Sequence, residues 1–157
     1  MTPHVWIAAD DDAEHVGELL GGFRDWWGYD SPDDETIRRT VDRLVREPST
    51  EYLLAAAEPS SEPAGVCQLR YRLSVWTGLD DCWLEDLFVR PAAQRAGIGR
   101  ALVEAAIDRA RSRGCRRMEL DVNERNAGAI DFYRGLGFTT EPKPPGRTLF
   151  MSRRLER

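Results

Sequence analysis

The sequence predicts an α+β domain in which a mixed sheet is flanked by about four helices. Three observations lead there. Strand-like runs separated by turns fill much of the chain as far as Val89, the pattern of antiparallel neighbours. A strand–helix–strand order then spans residues 82–122, and a crossover of that kind is right-handed and makes its two strands parallel. Apolar residues at helical spacing fill the intervals between the runs. At 157 residues the chain has the length of a single domain, covering residues 1–157.

Taken in order, Val5 to Ala9 is a short apolar run and a first strand. Asp11 stands three residues before Glu14, a capping-box spacing, and Val16, Leu19, Leu20, Phe23 and Trp27 follow on one face of a helix over 12–27. Ser31-Pro32-Asp33-Asp34 announces a second helix with a cap, a first-turn proline and acids against the dipole, and Ile37, Val41, Leu44 and Val45 form its buried stripe. Glu51 to Ala57 is a second strand. Cys67, Leu69, Tyr71, Leu73 and Val75 alternate with Gln68, Arg70 and Arg72, a half-buried third strand. Cys82 to Val89 is the fourth. Ile98, Leu102, Ala105, Ala106 and Ala110 line a helix that ends at Gly114, and Met118, Leu120 and Val122 alternate as a fifth strand. Asn126 opens a short helix carrying Ala129, Ile130, Tyr133 and Leu136. Phe138–Glu141 and Thr148–Arg154 read as two last strands around the turn Lys143-Pro144-Pro145-Gly146, for a total of about seven.

Composition narrows the function. A formal charge of −5 argues against a nucleic-acid partner, which calls for a basic face, and suits a cationic substrate better. The cysteines are odd in number, 3, and Cys67, Cys82 and Cys115 show no CxxC or Cys/His spacing, so neither a disulfide framework nor a metal site is expected. No run approaches the roughly 20 residues of a membrane span and no leader pattern opens the chain, so the expected place is the cytoplasm with no membrane partner.

The chain is organised around Cys82 to Leu102, CWLEDLFVRPAAQRAGIGRAL. A buried strand interrupted by Glu85 and Asp86 ends at Pro91, and Gly97 and Gly99 open a helix whose first N–H groups have no partner within it. Such a start is an anion site in waiting. Carboxylates in a strand beside it suggest chemistry. A Walker loop is set aside because Arg100-Ala101, not Lys followed by Ser or Thr, follows Gly99; a dinucleotide fingerprint is set aside because the preceding strands are not a parallel series.

Leu84-Glu85-Asp86-Leu87-Phe88-Val89, Gln94-x-x-Gly97-x-Gly99 and Asn126-x-x-Ala129-Ile130-x-Phe132-Tyr133 together resemble the motifs of the GNAT N-acetyltransferase superfamily, and within it most resemble diamine acetyltransferase-like members. The likeness covers nearly the whole chain. It implies the GNAT fold, with strands 4 and 5 as a parallel splayed pair, and acetyl-CoA as cosubstrate with no metal. It also implies a homodimer and direct transfer of an acetyl group to a primary amine of a small molecule. Backbone N–H groups over Arg95, Ala96, Gly97, Ile98, Gly99 and Arg100 would wrap the pyrophosphate, reinforced by the helix dipole, with Gln94 as a further cofactor contact. Leu87, Phe88 and Val89 would lie along the pantetheine arm, with an N–H near Leu87 facing the thioester oxygen. Asn126, Ala127, Gly128 and Ala129 would form a second cofactor contact, and Tyr133 would protonate the leaving thiolate.

An amine arrives protonated, so Glu85 is the expected proton acceptor, with Asp86 as alternative. Which of the two faces the cleft depends on whether a bulge interrupts the strand, and an ion pair with Arg70 or Arg72 is the competing role for either. Trp26 and Trp27, with Tyr29 and Trp76 in the same aromatic set, would wall the acceptor pocket. A peptide or protein amine is the alternative acceptor, and a non-catalytic acyl-CoA sensor the alternative class.

Overall fold

The computed structural model describes residues 2–141 and 144–156. These fall into two units, one up to Leu120 and one from Asp121 onward. In the first, a five-stranded sheet has the order β1-β2-β3-β4-β5, built from β1 (His4–Ile7), β2 (Thr50–Ala56), β3 (Gly65–Leu73), β4 (Asp80–Val89) and β5 (Met118–Glu119). Neighbours pair antiparallel through β4, and β4 with β5 is parallel.

Two helices, α1 (Ala13–Trp26) and α2 (Asp34–Leu44), belong to one face of the sheet. Val16 and Leu19 of α1, Ile37 and Val41 of α2, and Tyr52, Leu54, Val66 and Phe88 of the strands form one buried cluster there. Burying an aliphatic side chain of this size is worth about 1.5–3 kcal/mol. The opposite face carries α3 (Ile98–Ser112), whose Ile98, Leu102, Val103 and Ala106 are buried. Gly65 sets how closely α3 approaches. A Cβ built on it would stand 2.8 Å from Ile98 Cγ2 and 2.9 Å from Leu102 Cδ1. In the second unit α4 (Ala127–Gly135) is capped by Asn126, whose side chain accepts from the Ala129 N–H at 3.1 Å.

Several expectations are corrected. The α1 entry is a 3-10 turn, Asp10–Asp12, in which Asp12 and not Asp11 makes the local bond: its carboxylate accepts from the Ala9 N–H at 2.9 Å. Asp33, not Ser31, caps α2, accepting from the Thr36 N–H at 2.8 Å, and hydrogen bonding by Thr36, side chain first and then N–H, holds its carboxyl below the ordinary range. β3 ends at Leu73, because Gly78 N–H to Ser74 O (2.8 Å) and Ser74 N–H to Leu79 O (2.9 Å) close a turn that leaves Val75 exposed. β3 is also not half-buried: Gly65 to Leu69 is covered on both faces by the two helix layers. β5 is two residues long. The segments 138–141 and 148–154 are not strands: alternation alone gives them no ladder partner, and Leu149, Phe150 and Met151 are exposed. The turn expected between them is described only from Pro144, Lys143 lying outside the described residues.

Candidate active site

The fourth strand does not run regularly. Gln68 pairs with Asp86 and Leu69 with Leu84, so Glu85 is an extra residue with no partner across the ladder. This β-bulge reverses the facing of every residue beyond it. Cys82 N–H points to β5, donating to Arg117 O at 3.3 Å, whereas Arg90 N–H points to Ala64 O of the β3 side at 2.8 Å. Even-numbered residues thus face β5 before the bulge and β3 after it. Beyond Glu85, the N–H and C=O groups of Leu87 and Val89 are the ones directed to the outer edge. The Gln94 side chain confirms the direction by donating to Val89 O at 3.2 Å. The β4–β5 ladder stops at Trp83 with Glu119, so this edge has no strand partner among the described residues. The splay expected between strands 4 and 5 is there, and the bulge selects the residues that line it.

Phe88 was expected at the same edge and does not reach it. Its backbone faces β3, and its buried ring stacks on Phe23 of α1 at 5.1 Å between centroids.

After β4 a 3-10 turn, Pro91–Ala93, leads to Arg95 at φ 67° and Gly97 at φ 80°, both left-handed. A β-carbon at Gly97 would meet no atom within 4 Å, so it is the backbone conformation that calls for glycine. Gly97 caps α3 without a side-chain bond, and the first amide of the helix to find a backbone partner is that of Ala101, which donates to Gly97 O at 3.0 Å. The N–H groups from Arg95 to Arg100 donate to no carbonyl or side chain among the described residues. A run of bare amides at the positive end of a fifteen-residue helix fits a diphosphate. Arg100 itself pairs with Glu104 at 2.8 Å, while the exposed Arg95 lies within the turn.

The bulge also separates the two carboxylates. Glu85 is exposed and has no ion pair with Arg70 or Arg72. Asp86, half-buried, stands opposite Gln68 on the face that carries α1 and α2. With the Gln68 carboxamide oriented to satisfy its neighbours, Nε2 donates to Asp86 Oδ2 at 3.2 Å and Oε1 accepts from Arg70 Nε at 3.1 Å. Tyr52 lies next in the same cross-strand row. Burial first, and then the Asp86 and Glu85 charges against Arg70, push its hydroxyl well above the usual phenol range. Gln68 and Tyr52 escaped the sequence reading, Gln68 because a polar position in an alternating strand reads as solvent-facing, whereas Arg70 stands there as an ion-pair partner for the carboxylates.

Trp26 and Trp27 are half exposed at the end of α1, in contact with each other at 5.0 Å and with Phe23 at 6.3 and 6.0 Å. They are thus an outward continuation of the Phe88–Phe23 stack and not core. Arg24 fixes the chain beyond them by donating to Pro32 O at 2.8 Å and pairing with Asp34 and Asp25. Trp76, by contrast, is 92% exposed in the β3–β4 turn. In the second unit, Tyr133 is half-buried on α4 and packs edge-on against Phe132 and Phe138, at 5.1 and 5.6 Å.

A splayed parallel pair, a bulged strand and a glycine-opened helix with free amides define an acyl-CoA-type acyltransferase scaffold. The Acetyltransferase (GNAT) family model matches residues 18–138, and the chain belongs to that family of acetyltransferases. It is 31% identical over 133 residues to the thialysine N-epsilon-acetyltransferase of Sus scrofa, spanning 77% of this chain and 76% of that protein. It is 45% identical over 60 residues to the ribosomal protein bS18 alanine N-acetyltransferase of Escherichia coli (strain K12), spanning 38% of this chain and 40% of that protein. A solved aminoglycoside N-acetyltransferase in complex with CoA has the same fold, with a TM-score of 0.76 at 18% identity over 98% of this chain and 96% of that one. GNAT acetyltransferases use acetyl-CoA as their cosubstrate. No helix among the described residues is long and apolar enough to cross a membrane.

Proposed function

We propose that the protein transfers the acetyl group of acetyl-CoA to a primary amine of a small molecule, by direct attack of the amine on the thioester. The observation that carries this reading is the run of amides from Arg95 to Arg100, unpartnered among the described residues, beside the outward-facing backbone of Leu87 and Val89. The amides hold the pyrophosphate, with Gln94 and Arg95 at its margin, and the β4 edge holds the amides of the pantetheine arm as a strand would. Asn126 to Ala129, at the start of α4, supply the second cofactor contact.

Bound acetyl-CoA supplies a thioester whose carbonyl carbon accepts the amine, forming a C–N bond as the C–S bond breaks. Glu85 takes the ammonium proton, directly or through water, and its exposure on the bulge puts it within reach of solvent. The Leu87 N–H donates to the thioester oxygen as negative charge builds there. Tyr133 gives a proton to the departing sulfur and is reprotonated, through water, by the second proton that the nitrogen loses as the amide forms. Trp26, Trp27 and Asp86 receive the acceptor, the indoles by cation–π contact and the carboxylate by charge. The thialysine acetyltransferase likeness supports a small amine over a protein amine.

Thiol release from acetyl-CoA across a panel of primary diamines, amino acids and peptides tests the reading. Turnover is expected with a small amine, and Tyr133→Phe should lower kcat on the order of a hundredfold. Binding of acetyl-CoA without turnover across the panel would instead favour a sensor, and full turnover in Tyr133→Phe would remove the acid from that side chain.

A further inference from the structure

We propose that Gln68 is a positioning residue for the acceptor amine: its buried carboxamide fixes the Asp86 carboxylate on the α1–α2 side of the sheet, so that Asp86 binds the ammonium while Glu85, left exposed on the bulge, takes the proton. This rests on the acetyltransferase reading above and assigns its two carboxylates separate tasks.

Gln68 is 3% exposed and, with Thr50, is one of the buried polar side chains among the described residues. Its strand neighbours Val66, Cys67 and Leu69 are apolar, and an apolar residue would suit its place as well if only packing mattered. An amide there must be satisfied on both ends, and it is: Arg70 Nε at 3.1 Å fixes the oxygen, which leaves Nε2 directed at Asp86 Oδ2, 3.2 Å away. Gln68 is also the residue at which the ladder register breaks, so it stands opposite the bulge. Adjacent carboxylates repel, and the Gln68 Nε2 donor stabilises the Asp86 charge beside Glu85. Arg70, facing Asp86 through the amide, offsets that repulsion. The Tyr52 hydroxyl, kept protonated by burial, closes the row from β2. One carboxylate is held and the other is free to exchange protons.

The test uses the full chain with Gln68→Met, which removes both hydrogen bonds at similar volume, and Gln68→Glu, which sets a carboxylate against Asp86. Binding of 1,4-diaminobutane and n-butylamine in the presence of CoA is followed by calorimetry, alongside steady-state kinetics. The expected result is at least tenfold weaker amine binding and a matching rise in amine KM. The acetyl-CoA KM should stay within twofold and kcat fall less than amine affinity. In the wild-type chain the Gln68 side-chain amide resonances should shift on amine addition, a readout that needs no variant to fold. Unchanged amine affinity in either folded variant, failure of the wild type to bind either amine, or unmoved Gln68 resonances would overturn the assignment. Thiol release by the wild type reports separately on the acetyltransferase reading.

Discussion

The two ends of α3 meet the sheet in opposite ways. At its C-terminal end Arg109 pairs with Glu51 at 2.6 Å, Arg113 reaches Pro48 O at 3.2 Å and Asp80 at 3.5 Å, and the Arg113 guanidinium lies 3.8 Å over the Tyr71 ring. The Tyr71 hydroxyl completes the set by donating to Glu51 at 2.6 Å. Each of these side chains has a partner within the protein. At the N-terminal end the amides from Arg95 to Arg100 have none among the described residues, the cap is a left-handed glycine, and the neighbouring strand edge has no strand partner among them. A fold leaves polar groups bare where a ligand is to satisfy them and closes them elsewhere. The closed end fastens the helix so that the open end keeps its place.

That contrast can be broken from either side. Glu51→Ala should cost about 3 kcal/mol in urea unfolding, because it strands a buried hydroxyl and guanidinium charge, while KM for acetyl-CoA stays unchanged in the folded protein. A raised KM would mean that the closed end takes part in binding. Gly97→Val should act in the reverse sense. Left-handed backbone is unfavourable for a side chain by about 1–2 kcal/mol, so the turn re-forms, the amides diverge and the acetyl-CoA KM rises roughly tenfold with a small change in melting temperature. Equal effects on stability and KM would erase the distinction between the ends.

The smallest effect is in the pH response of the closed end. Burial, then the bond to Glu51, push the Tyr71 hydroxyl far above its ordinary value of about 10. Because the folded pKa is the higher one, the contribution is intact below pH 10 and stability falls as pH rises beyond it. Absorbance at 295 nm should show Tyr71 and Tyr52 ionising only as the protein unfolds, with Tyr71→Phe removing part of that late step. Ionisation of both before unfolding would contradict their burial.

Much of this was legible in the sequence. Apolar spacing placed the helices within a few residues, and Gly97 and Gly99 marked the turn before any coordinate did. The bulge was not legible. Leu84 to Val89 reads as an unbroken strand, and the extra residue exists only in its register against Gln68 and Leu69. For the same reason alternation overextended the strands at 117–122 and 148–154: it reports side-chain sides and not whether a neighbour is there to pair. The Glu51 cluster joins β2, β3 and α3 across as many as 58 positions of sequence and leaves no local pattern. Asp25, Asp80 and Asp81, each within a few residues of an aromatic in sequence, are partnered by Arg24, Arg113 and Arg117.

The central claim, that the open end of α3 binds the coenzyme, is tested most directly by titrating the isotopically labelled protein with CoA and following its backbone amides by NMR. The account predicts the largest shifts at Gly97, Ile98, Gly99 and Arg100, with Leu87 and Val89 moving alongside and Arg109 to Arg113 still. Shifts centred on Arg109 to Arg113, or none at Gly97 to Arg100 at saturating CoA, would contradict it.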